Sequence, residues 1–147
     1  MWLNEDDTLA FARRLAASPA VRQAFIELHG DLGAGKTTLV RHLLRALGVT
    51  GRIKSPTYAV VEPHEAPGLA IWHFDFYRFN DPREWEEAGF RDVFASPGLK
   101  LAEWPEKAAG VLPAADLVVR IETGEDERRT VTLQAHTPTG RALLEAA

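Results

Sequence analysis

The spacing of apolar residues changes several times along the chain, and each change marks an element. Leu9, Ala12, Leu15 and Ala16 recur at helical spacing after Asn4, which can cap a helix, with Asp7 three positions on. Ser18-Pro19 ends this first helix. Gln23 to Leu28 (QAFIEL) is a short buried-strand run that leads straight into His29-Gly30-Asp31-Leu32-Gly33-Ala34-Gly35-Lys36-Thr37-Thr38. Leu39, Val40, Leu43, Leu44 and Leu47 then define a second helix, with Gly48 where a C-terminal cap belongs. Val49 to Thr57 reads as a loop. Tyr58 to Glu62 and Leu69 to Phe74 read as strands joined by a turn at His64 to Gly68. Asp81-Pro82 opens a helix that runs through Ala88 to a stop at Gly89. Leu99 to Glu103 is another apolar strand, closed by Trp104-Pro105. Leu117 to Glu122 and Thr130 to Ala135 flank the charged turn Gly124 to Arg129 as an antiparallel hairpin, and Thr137-Pro138 starts a short last helix.

Strands alternating with helices predict an α/β fold in three layers. Parallel strands form its core, and antiparallel strands, including the C-terminal hairpin, form its edges. No repeat, low-complexity tract or long linker divides residues 1–147, so one domain is expected. Apolar residues at 46% and charged residues at 26% are ordinary for a globular protein, and the absence of cysteine excludes disulfides and thiolate metal sites. A net charge of −4 carries no basic footprint for gripping nucleic acid directly. The acidic opening Asn4-Glu5-Asp6-Asp7 and the lack of any membrane-length apolar run predict a cytoplasmic protein with no membrane partner.

Gly30-x4-Gly35-Lys36-Thr37 matches the phosphate-loop pattern in full, between a strand and a helix. Gly30, Gly33 and Gly35 permit backbone turns that a Cβ obstructs, and so let N–H groups converge on one anion. The helix beginning near Lys36 adds its unpaired N–H groups and positive dipole end. Lys36 reaches the outer phosphates, and Thr37 offers a hydroxyl to Mg²⁺, a cation that prefers oxygen ligands.

Hydrolysis needs a second metal ligand and a group that places water. Two apolar strands end in an acid, Asp75 and Glu103, and ligands of open α/β sheets sit at the carboxyl ends of strands. Each is a candidate for the metal and the attacking water, with a strand-end salt bridge as the alternative. Thr57, in a loop, is either a switch hydroxyl that engages the metal or an ordinary residue after Pro56. Arg78 is open to pairing with Asp75 or reaching a phosphate. Trp104 stacks or packs, and Tyr77 and Trp85 are read as packing residues. The histidines lack metal-ligand spacing and receive no chemistry.

The blocks GDLGAGKTTLVRHLLRALG, KSPTYAVVEP, HFDFYRFNDPREWEEAGFRDVF and LAEWPEKAAGVLP, in order over residues 30 to 113, resemble the TsaE family. The resemblance implies a P-loop ATPase needed for the threonylcarbamoyl modification of the adenosine beside the tRNA anticodon. It implies TsaD and TsaB as partners, with hydrolysis resetting that pair between turnovers and tRNA contacted only indirectly. It assigns ATP to the loop Gly30, Asp31, Leu32, Gly33, Ala34, Gly35, Lys36, Thr37 and Thr38. Mg²⁺ goes to Thr37, Glu103 and Asp75, and catalysis to Glu103, Asp75, Lys36 and Thr57. Family residues near the nucleotide in the first helix and last hairpin match Thr8 and Arg128, with Arg129 as the other possible counterpart.

No Asn-Lys-x-Asp guanine motif is present, which favours adenine, and no arginine-rich lid follows the loop, which disfavours a small-molecule kinase. The readings still in competition are an ATPase acting on a partner complex, a metabolite kinase and a nucleotide-gated interaction module.

Overall fold

The computed structural model describes residues 2, 4–31, 33–53, 56, 60–77, 89–108, 110–125 and 128–147. Helix α1 (Glu5–Ala17) is capped by the Asn4 side chain, which accepts from the Asp7 N–H at 3.2 Å, and it ends at extended Ser18. A short 3₁₀ turn, Pro19–Gln23, leads into β1 (Phe25–His29), so Gln23 closes that turn rather than opening the strand. Helix α2 (Lys36–Leu47) begins after Gly35 and stops at left-handed Gly48.

Strands β2 (Val61–Ala66) and β3 (Leu69–Asp75) pair antiparallel with Ala66 opposite Leu69. The turn is therefore the two residues Pro67-Gly68, and β2 runs through His64 and Glu65, which the sequence pattern assigned to a longer turn. Pro63 inside the strand is the reason for the misreading. It is tolerated because β2 lies at the edge of the sheet, where a missing donor breaks no second ladder. The helix expected over 81–88 lies outside the described residues. Helix α3 (Phe90–Ala95) follows Gly89, which begins this helix as its N-cap.

Strand β4 (Leu99–Glu103), a 3₁₀ turn at Pro105–Ala108, β5 (Leu117–Thr123), β6 (Arg129–Ala135) and α4 (Pro138–Ala146) complete the order. Among the described residues six strands form one sheet, β2-β3-β4-β1-β5-β6. The pairs β3–β4, β4–β1 and β1–β5 are parallel, while the outer pairs are antiparallel.

Side chains alternate between the two faces of this sheet. Ile26 and Leu28, Leu99 and Leu101, and Leu117, Val119 and Ile121 join Phe11 and Leu15 of α1, Leu39, Leu43 and Leu44 of α2 and Leu143 of α4 in one core. Phe25, Phe74, Phe76 and Ala102 pack with Phe90 in a second core on the opposite face. Because every strand keeps period two, Asp75 and Glu103 fall on the α2 face with the first core. Asp116 braces the sheet end, accepting from the Phe25 N–H and from the Thr137 hydroxyl, each at 2.7 Å.

Candidate functional site

β1 ends where the glycine loop starts. Gly30 has φ 150°, and a Cβ there would stand 2.5 Å from the Ile121 carbonyl oxygen of β5, so only glycine lets the loop leave the sheet at this point. The loop delivers Lys36 and Thr37 to the first turn of α2. There the helix N-terminus presents unpaired N–H groups to any bound anion.

The strand-end acids arrive from the neighbouring strands. β4 lies beside β1 and β3 beside β4, and the parallel register sets Asp75 directly opposite Glu103. The Thr37 hydroxyl donates to Glu103 Oε1 at 3.0 Å, while Glu103 Oε2 lies 2.6 Å from His73 Nε2. The Lys36 ammonium donates to the Gly30 carbonyl at 2.6 Å and stands 3.7 Å from the centre of the Trp104 ring. Trp104 itself takes a left-handed backbone, φ 54°, unusual for a bulky residue and costly without compensating contacts.

These groups meet in a cavity of about 220 Å³ lined by Gly33, Gly35, Lys36, Thr37, Thr38, Asp75, Glu103, Trp104 and Arg129. A larger cavity of about 570 Å³ shares Trp104 with it but opens on the other face, among His29, Glu106, Arg120 and Glu122. The phosphate-loop lysine, the hydroxyl and both strand-end acids line the smaller one.

Burial shapes the charges of the smaller cavity. It pushes the Lys36 ammonium below its usual 10.5, against the pull of Glu103, Glu106, Asp75 and Asp31. It pushes the Asp75 carboxyl above its usual 3.8, and the neighbouring Glu103 charge adds to that rise. The Tyr77 N–H donating to Asp75 Oδ1 at 3.0 Å opposes it.

Several residues stand differently from what the sequence suggested. Arg129 comes to the loop: its guanidinium donates to the Gly33 carbonyl at 3.4 Å and lies over Gly35. Arg128 is exposed and lines neither cavity. Arg128 stands in the turn before β6, whereas Arg129 opens the strand and is held from both sides. It pairs with Thr123 of β5 and, through two backbone hydrogen bonds, with Trp2. Thr8 turns into the apolar stripe of α1, only 1% exposed, and also lines neither cavity. Thr57, Leu32, Arg78 and Trp85 lie outside the described residues. His73, given no role from spacing, is fully buried against Glu103. Its sequence position two residues before Asp75 was the available signal, since equal parity on one strand means the same face.

Among the described residues no three His, Cys, Asp or Glu side chains converge as a metal cage. Mg²⁺ does not require one. It takes one or two protein oxygens and completes its shell with phosphates and water, and the Thr37 hydroxyl beside the Glu103 carboxylate fits that mode.

A parallel sheet that feeds a glycine loop into a helix, with a strand-end acid on the loop threonine, defines a P-loop NTPase-like protein. The model of the family described as threonylcarbamoyl adenosine biosynthesis protein TsaE matches residues 2–131, and the chain belongs to that family. The tRNA threonylcarbamoyladenosine biosynthesis protein TsaE of Haemophilus influenzae is 43% identical over 136 residues, 92% of this chain and 85% of that protein. The Bacillus subtilis protein of the same name is 34% identical, covering 90% of this chain and 82% of its own length. The crystal structure of Bacillus subtilis YdiB superposes with a TM-score of 0.82 at 30% identity, covering 98% of this chain and 88% of that one. No helix among the described residues is long and apolar enough to cross a membrane.

Proposed function

We propose that the protein is an ATPase of the cytoplasm that supports threonylcarbamoyl modification of the adenosine beside the tRNA anticodon. In this reading it binds the TsaD–TsaB pair and hydrolyses ATP to reset it between turnovers, leaving tRNA to its partners. The observation that carries the ATPase reading is the 3.0 Å contact between Thr37 and Glu103, which joins the loop hydroxyl to a strand-end acid. Family membership supports the pathway, and a net charge of −4 suits a protein that does not grip tRNA itself.

The residues divide the work as follows. Backbone N–H groups of residues 30–38, with Lys36, hold the phosphates. Thr37 and Glu103, with Asp75 alongside, supply oxygens for Mg²⁺, which when bound neutralises the outer phosphates. Glu103 and Asp75 orient water for in-line attack on the outer phosphorus, giving ADP and inorganic phosphate. Asp75, whose burial strengthens its hold on a proton, is suited to receive the one that water releases.

A reconstituted modification assay run over many turnovers tests this. Hydrolysable ATP is expected to sustain repeated cycles when partner proteins are present, and a non-hydrolysable analogue to stop them after the first. Equal cycling with the analogue would leave only a nucleotide-gated module. ATP consumption driven by a metabolite without partners would instead point to a kinase. On the same reading, Arg129→Ala weakens ATP affinity by about tenfold, the scale of one charged hydrogen bond. Arg128→Ala leaves it unchanged, and titration calorimetry on both variants makes the comparison.

A further inference from the structure

Glu103 is buried, and both of its carboxylate oxygens are engaged. Oε1 accepts from the Thr37 hydroxyl at 3.0 Å, and Oε2 meets His73 Nε2 at 2.6 Å. An ionised carboxylate only accepts, so the ring nitrogen facing it carries a hydrogen whichever form the imidazole takes.

The contact follows from the sheet. Asp75 stands opposite Glu103 and His73 opposite Leu101, so His73 lies two residues back on the same face as the acid. The ring is fully buried, and its other nitrogen, Nδ1, has no hydrogen-bond partner among the described residues. An apolar side chain of similar size would fill this core position without leaving a buried nitrogen unmatched. The polar ring is thus a poor choice for packing and a good one for a single contact, the one to Glu103. Without it the terminal torsion of Glu103, intrinsically broad, is held among the described residues only by the Thr37 hydroxyl.

We propose that His73 is a positioning residue for Glu103. It anchors Oε2 so that Oε1, beside the Thr37 hydroxyl, faces the phosphate cavity. The inference rests on Thr37 and Glu103 serving as magnesium ligands. Partners of this kind behind a metal ligand typically change metal affinity by about 10–100-fold when removed.

Titration calorimetry of ATP in Mg²⁺ and in EDTA tests it, on wild type, His73→Leu and His73→Gln, each also combined with Glu103→Gln. His73→Leu is expected to lose about tenfold of the affinity gained from Mg²⁺ while binding ATP normally in EDTA. His73→Gln, whose amide N–H reaches the same position, restores most of the gain. In the Glu103→Gln background His73→Leu adds nothing further. Should the leucine variant not fold, His73→Met, equally devoid of an N–H donor, takes its place. A full Mg²⁺ gain in the leucine or methionine variant overturns the inference. So does equal impairment by glutamine, or an equal loss in EDTA, since either marks a purely structural residue. If wild type itself gains nothing from Mg²⁺, the underlying magnesium reading fails. That result is distinct from a wild-type gain which His73→Leu retains.

Discussion

Lys36→Ala is expected to abolish ATP hydrolysis and, with it, tRNA modification over repeated cycles in the reconstituted system. The ammonium opens α2, where it stands between the Gly30 carbonyl and the Trp104 ring in the cavity that the Arg129 guanidinium also lines. Charge that builds on the transferring phosphoryl group needs a donor preorganised in a water-poor cleft, and removing one such donor usually lowers turnover by about 10²–10³-fold. The fold should not suffer in proportion. Lys36 is 4% exposed, and burial already pushes its ammonium below 10.5, so the charge is held against its own preference for water.

The sign of the linkage makes this checkable. In the window just under 10.5 the unfolded chain binds more protons at this position than the folded one, so native stability gains from Lys36 as pH rises through it. Alanine removes that gain. Urea melts at neutral and alkaline pH, read beside the assay, separate a dead site from a damaged fold. An active Lys36→Ala variant with wild-type melts would refute the assigned role.

Glu103→Gln is expected to retain ATP binding in EDTA and to lose about 10²–10³-fold in turnover, the usual cost of removing one preorganised electrostatic group. Glutamine keeps the shape of the side chain and leaves an oxygen for His73, but it gives up the negative charge that a metal requires. The melting temperature should hold or rise, because Glu103 sits opposite Asp75 on the adjacent strand and its charge disfavours that of the half-buried Asp75. One round of modification without recycling is the expected phenotype. Repeated cycling at the wild-type rate by this variant would remove Glu103 from the chemistry.

Much of this was legible in one dimension. The glycines and Lys36-Thr37 are consecutive, so the phosphate loop could be read as a word, and the helix after it had an unbroken apolar stripe. The acids Asp75 and Glu103 were visible as the last residues of apolar strands, and their shared edge followed from the α/β pattern. Strand ends were less secure. Pro63 disguised β2 because proline is permitted on an edge strand, and edge position is a property of the sheet.

What chain order could not express was pairing. Whether Arg128 or Arg129 turns to the loop depends on the register of β6 against β5 and on a bridge to Trp2, far away in sequence. His73 looked like one more histidine until parallel pairing set it behind Glu103. The sequence by itself determined the phosphate loop, the order of helices and strands and the two acids at strand ends, because these depend on neighbouring residues and local periodicity. Only the tertiary structure decided which side chains share a face and touch, because register and strand order are settled by burial over the whole sheet.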